Sequence, residues 1–83
     1  MPRLPRDLRT ADLLRAVAWA GWRVVREGRK HTVVERHGVT VTGPRHRLLK
    51  TGTLRTILEE MGMTVVQLNA LLGGNDGWIP SSR

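Results

Sequence analysis

Along this chain, apolar residues recur first at helical spacing, then in short β-branched runs, then at helical spacing again. Leu13, Leu14, Val17, Ala18 and Gly21 trace one face of a first helix, with Thr10 placed to cap its start and Gly21 to end it. From Trp22 the pattern changes, and three strands fit it: Trp22 to Glu27, His31 to Arg36, and Val39 to Gly43. Their connections, Gly28-Arg29-Lys30 and His37-Gly38, are short and contain glycine, so the strands should form an antiparallel sheet. A second helix carries Leu54, Ile57, Leu58 and Met61 at i, i+3, i+4 and i+7, with Thr53 in position to cap it. After Gly62, Thr64-Val65-Val66-Gln67 has the form of a capping box. It opens a last short helix with Val65, Leu68, Leu71 and Leu72 inward and Gly73-Gly74 at its end.

The turn lengths give a register. A three-residue first turn pairs Glu27 with His31, Val25 with Val33 and Arg23 with Glu35; a two-residue second turn pairs Arg36 with Val39 and Val34 with Val41. One sheet face then collects Trp22, Val24, Val34, Val39 and Val41, the set to be buried under the helices. The other face carries Arg23, Glu27, His31, Glu35, Thr40 and Thr42, and places Pro44 beside His31. In this register Glu27 lies close enough to His31 to orient its imidazole. His37, next to Gly38, reads as a turn residue that tolerates positive φ.

Segments outside these elements set the domain limits. Residues 1–9 are a basic, Pro- and Arg-rich lead of the kind that is often mobile; residues 10–72 form the domain; residues 73–83 form a tail whose one large apolar residue is Trp78. The lead is followed by Asp12 and Arg15 rather than an apolar run, so it does not read as a signal peptide, and no stretch is long enough to span a membrane.

Charge adds the first functional information. Lys and Arg outnumber Asp and Glu 14 to 7 in 83 residues, and the net charge of +7 points to a nucleic acid or another anionic surface. With no Phe or Tyr and three Trp, a base-stacking platform for single strands is not encoded. The absence of cysteine excludes a disulfide frame and a thiolate zinc site, and fits a reducing cytoplasm. The three histidines lack metal-ligand spacing and the basic loop lacks paired carboxylates, so no metal site and no cofactor is expected.

The cations concentrate in GPRHRLLKTGTLRTIL, residues 43–58. Arg45, His46, Arg47 and Lys50 precede the second helix and Arg55 lies in its first turn, where a cation opposes the helix dipole and suits a bound anion. A plain solvated loop is the alternative for any such run.

The order GWRVVREGRKH, then VTVTGPRHRLLKTGTLRTILEEMGMT, resembles the HicA family of toxin ribonucleases, the toxin half of type II HicA–HicB toxin–antitoxin pairs. The resemblance runs from about Thr10 to Leu72. It rests on the Pro-x-His and Gly-Thr-Leu-Arg-x-Ile-Leu spacings, with Trp22, Arg26, Pro44, His46, Gly52, Thr53, Leu54, Arg55 and Ile57 in place. It implies an α+β fold similar to double-stranded-RNA-binding domains, α-β-β-β-α, with a three-stranded antiparallel sheet, helices on one face and here a short C-terminal helix. It also implies a metal-independent endoribonuclease that cleaves mRNA and arrests translation and growth, a HicB-like antitoxin partner, and a catalytic histidine that falls on His31. The family usually writes Gly-Ser-His where this chain has Arg29-Lys30-His31. His46 would be a second acid or base, a phosphate contact, or a loop-ordering residue; Arg26, Arg29, Lys30, Arg45, Arg47, Lys50 and Arg55 would contact RNA. A non-catalytic RNA-binding module on the same scaffold is the alternative function, and neither core helix carries the basic stripe of a DNA-reading helix.

Overall fold

The computed structural model describes residues 3–77, and builds them from eight elements: β1 (Leu8–Arg9), α1 (Thr10–Trp19), β2 (Arg23–Glu27), β3 (His31–Arg36), β4 (Val39–Pro44), β5 (Leu48–Leu49), α2 (Thr51–Met61) and α3 (Val65–Gly77). Strands β2, β3 and β4 form an antiparallel sheet in that order, and β1 pairs with β5 in a separate two-stranded ribbon. The architecture is the α-β-β-β-α arrangement that the sequence pattern and the resemblance imply, with α3 added. Trp78 lies outside the described residues.

One core unites the helices with one face of the sheet. Leu13, Ala16 and Val17 of α1 meet Leu54, Ile57 and Leu58 of α2 over Trp22, Val34 and Val41, with Leu8, Leu49 and Leu68 closing the sides. The α2 stripe is the one its periodicity predicts. In α1 the buried small residue is Ala16 and not Ala18, which is exposed, because the stripe is centred on Leu13 and Val17. Val24 and Val39 also differ from expectation. Each is about half exposed, since Val39 sits at the tip of the hairpin and Val24 on the edge strand away from β4, where α2 packs. Gly43 admits that packing: a Cβ there would come within 3.3 Å of Ile57 Cδ1.

The helix ends follow local chemistry. Gly21 adopts φ +98°, its N–H bonds Ala18 O and the Trp22 N–H bonds Val17 O, so α1 closes in a Schellman motif. At the start of α3, Thr64 N–H donates to Gln67 Oε1 at 2.8 Å and Gln67 N–H to Thr64 Oγ1 at 3.1 Å, the reciprocal capping box. Gly73-Gly74 does not end this helix, which runs to Gly77; glycine in a helix costs roughly 1 kcal/mol but does not by itself break it. The two threonines expected as caps are not caps. Arg9 and Lys50 occupy the N-cap positions with no side-chain cap bond, Thr10 is the first residue of α1, and Thr53 lies inside α2.

The second hairpin has the predicted register from Arg36↔Val39 through Val34↔Val41 to His31↔Pro44, and its turn has positive φ at both His37 and Gly38. The first hairpin departs from it. Arg23 pairs with Glu35 and Val24 with Val34, but a β-bulge at Val25 then sets Arg26 opposite Val33 and Glu27 opposite Thr32. The lead is likewise not free at its end. Leu8 is buried and pairs with Leu49, and Asn69 Nδ2 donates to the Arg3 carbonyl at 3.0 Å.

Candidate nucleic-acid interface and catalytic loop

The bulge at Val25 decides which side chains share the open face of the sheet. Residues directly opposite in an antiparallel pair point to the same side, so Arg26 joins Arg23, Val33 and Glu35 on the face that also carries His31, Thr40 and Thr42. Without the bulge Arg26 would face the helices. The same shift moves Glu27 to the Thr32 side, away from His31's face, so the expected Glu27–His31 neighbourhood is not formed. Glu35 is itself held by Arg23, Nη2 to Oε1 at 3.0 Å.

His31 is the first residue of β3 and is exposed, at the end of the turn that carries Arg29 and Lys30. The turn is closed by the Gly28 N–H donating to the His31 carbonyl at 2.8 Å. Next to it runs the loop that leaves β4. The Arg45 N–H donates to the Lys30 carbonyl at 2.8 Å, and its guanidinium Nη1 to the Gly28 carbonyl, also at 2.8 Å. Arg45 thus grips the His31 turn at both ends. The far side of the same loop is held by α1: Thr10 Oγ1 donates to the His46 carbonyl, and the Thr10 N–H to the Arg47 carbonyl at 3.0 Å. Thr10 precedes an apolar run as a cap would, and its hydroxyl instead fixes the loop.

The structure therefore brings Arg29, Lys30, His31, Arg45, His46 and Arg47 together at one end of the sheet, all exposed, with Arg26 on the adjoining face. Lys50 follows at the start of α2. Arg55 is not part of this group; it lines a separate groove with Arg3 and Arg6. None of these cations is in an ion pair among the described residues, where the pairs are Arg9–Asp12, Arg15–Asp12 and Arg23–Glu35. Such an assembly presents unneutralised donors to a polyanion and two imidazoles, His31 and His46, of the side-chain type that can exchange a proton. Among the described residues no three His, Asp or Glu side chains gather as a metal would require, and no helix is long and apolar enough to cross a membrane.

A sheet of three antiparallel strands with helices on one face and a histidine and cations at its open end is the class of structure that the resemblance described. The profile of the family described as HicA toxin of bacterial toxin-antitoxin matches residues 10–63, more than half of the chain. The chain belongs to that family of toxins, and a HicB-type antitoxin is the partner the family implies. No curated protein and no solved structure matches it.

Proposed function

We propose that this toxin is a metal-independent endoribonuclease that cleaves mRNA and so arrests translation, with His31 as its proton-transfer group. The observation that carries the reading is the gripped turn: residues 28–31, which end on His31 and include Arg29 and Lys30, are held by two backbone hydrogen bonds and by the Arg45 guanidinium on the Gly28 carbonyl. In the reaction the ribose 2′-oxygen attacks the adjoining phosphorus, and the bond from phosphorus to the 5′-oxygen breaks. His31 takes the 2′-hydroxyl proton or supplies one to the leaving 5′-oxygen, and His46 is the nearest second imidazole in the loop for the other transfer. Arg29, Lys30, Arg47 and Lys50 offset the charge that develops on the phosphoryl oxygens, and Arg26 receives the strand where it crosses the open face. Products carry a 2′,3′-cyclic phosphate and a 5′-hydroxyl, and DNA is not cut because it lacks the nucleophile. A cytoplasmic site of action follows from the mRNA substrate.

The alternative, an RNA-binding module without catalysis, draws on the replacement of small residues by Arg29 and Lys30 before His31. The two separate in one experiment. Purified protein is incubated with RNA in excess chelator and the product ends are analysed. Cyclic phosphate ends support the nuclease; bound but intact RNA supports the module.

A further inference from the structure

The fold holds the basic lead in place from Arg3 to Arg9. Leu4 packs against the core, the Arg3 carbonyl accepts from Asn69 of α3, and Leu8 pairs with Leu49. This sets Arg3 and Arg6 across from Arg55 of α2, in an open groove of about 560 Å³ that Thr51, Leu58 and Glu59 also line. All three guanidiniums are exposed, and none is in an ion pair among the described residues. Three arginines from two parts of the chain line this groove against one carboxylate, Glu59, so its charge favours an anion.

The groove is joined to the His31 loop by the chain itself. Arg45 bonds the His31 turn and Thr51 lines the groove, so the two places are at most about 20 Å apart along an extended backbone. Exposed Arg47 and Lys50 lie on the connecting segment. We infer that the Arg3–Arg6–Arg55 groove is a second RNA site, which takes the phosphodiester backbone of the strand held at His31 several nucleotides from the cleaved bond. This rests on the RNA reading of the His31 site, and it adds a length requirement: a short oligonucleotide reaches the loop alone, a longer one reaches both. Backbone phosphates fit better than an acidic protein segment because the exposed cations continue from the loop to the groove. Glu59 on the groove wall sets a local limit, since a carboxylate there repels phosphate.

The test measures affinity in the full chain carrying His31→Ala, so that cleavage does not intervene, for single-stranded RNAs of about 4 and about 16 nucleotides. Adding Arg3→Gln, Arg6→Gln and Arg55→Gln should weaken the long RNA about tenfold or more and leave the short one unchanged. The slope of log affinity against log salt for the long RNA should shrink by about 2, at roughly 0.7 per lost phosphate contact. Glu59→Gln, which removes no cation, should tighten the long RNA only, and it decides the question if the triple variant fails to fold. Equal effects on both lengths, or no effect on either with antitoxin binding lost instead, overturn the inference. If the parent protein binds RNA in this length-dependent way but never cuts it, the nuclease reading falls and the groove stands.

Discussion

Arg45 and Gly28, 17 residues apart, are joined by a 2.8 Å hydrogen bond from the guanidinium Nη1 to the carbonyl oxygen. That bond, with the one from the Arg45 N–H to Lys30, makes the exit of β4 the brace for the turn before His31. Arg45, which the sequence presents as a phosphate ligand, also braces this turn. Arg45→Ala should therefore lower the cleavage rate by about tenfold, the low end of what a charge-assisted hydrogen bond contributes. Arg45→Lys keeps the cation but cannot reproduce the planar fork, so it should keep RNA affinity and still lose rate. A variant that loses affinity and keeps its rate would show Arg45 to be a phosphate contact only.

Thr10 braces the other side of the loop. Thr10→Val removes the hydroxyl that the His46 carbonyl accepts from, and should cost about 1 kcal/mol of stability, while Thr10→Ser should cost less. Denaturant midpoints of the two variants check this. Equal midpoints would mean that the hydroxyl does not contribute.

Ile57 carries the packing of α2 onto β4, at 6% exposure and against Gly43. Ile57→Ala should destabilise the protein by about 2–5 kcal/mol. An unchanged unfolding midpoint would show that α2 does not bury this face.

The capping box at α3 gives a smaller, local effect. Thr64→Ala leaves the Gln67 N–H without its acceptor and should cost about 0.5–2 kcal/mol. Hydrogen exchange should rise in the first turn of α3 and not in the sheet; a uniform rise would place Thr64 in the global core instead.

What the sequence revealed was what repeats. The α2 stripe, the glycine stop at Gly21 and the Thr64–Gln67 box are periodic or local signals, and each depends on residues within one or two turns. The second hairpin was legible for the same reason, since the His37-Gly38 turn fixes its register through to His31↔Pro44. The bulge at Val25 was not, because Val24-Val25 reads as unbroken strand, and one extra residue there moves Arg26 and Glu27 to opposite faces. The bracing bonds of Thr10 and Arg45 are hidden for a different reason. A threonine before an apolar run looks like a cap, and an arginine in a basic loop looks like a phosphate contact. Their partners are carbonyls of residues 36 and 17 positions away, and every residue has a carbonyl. The placement of Arg3 and Arg6 beside Arg55 is not legible, because the pairing of Leu8 with Leu49 has no periodic signature.

The central claim is that His31 transfers a proton at the cleaved bond, and the most direct measurement is the single-turnover rate of RNA cleavage by His31→Ala against the parent protein in chelator. The rate should fall by about 10²–10⁴ while RNA affinity changes little, because the phosphate contacts come from arginine and lysine. His37→Asn, at a turn position with φ +51° that asparagine tolerates, should cut at the parent rate. If the His31→Ala protein cuts RNA as fast as the parent, His31 is not the catalytic group.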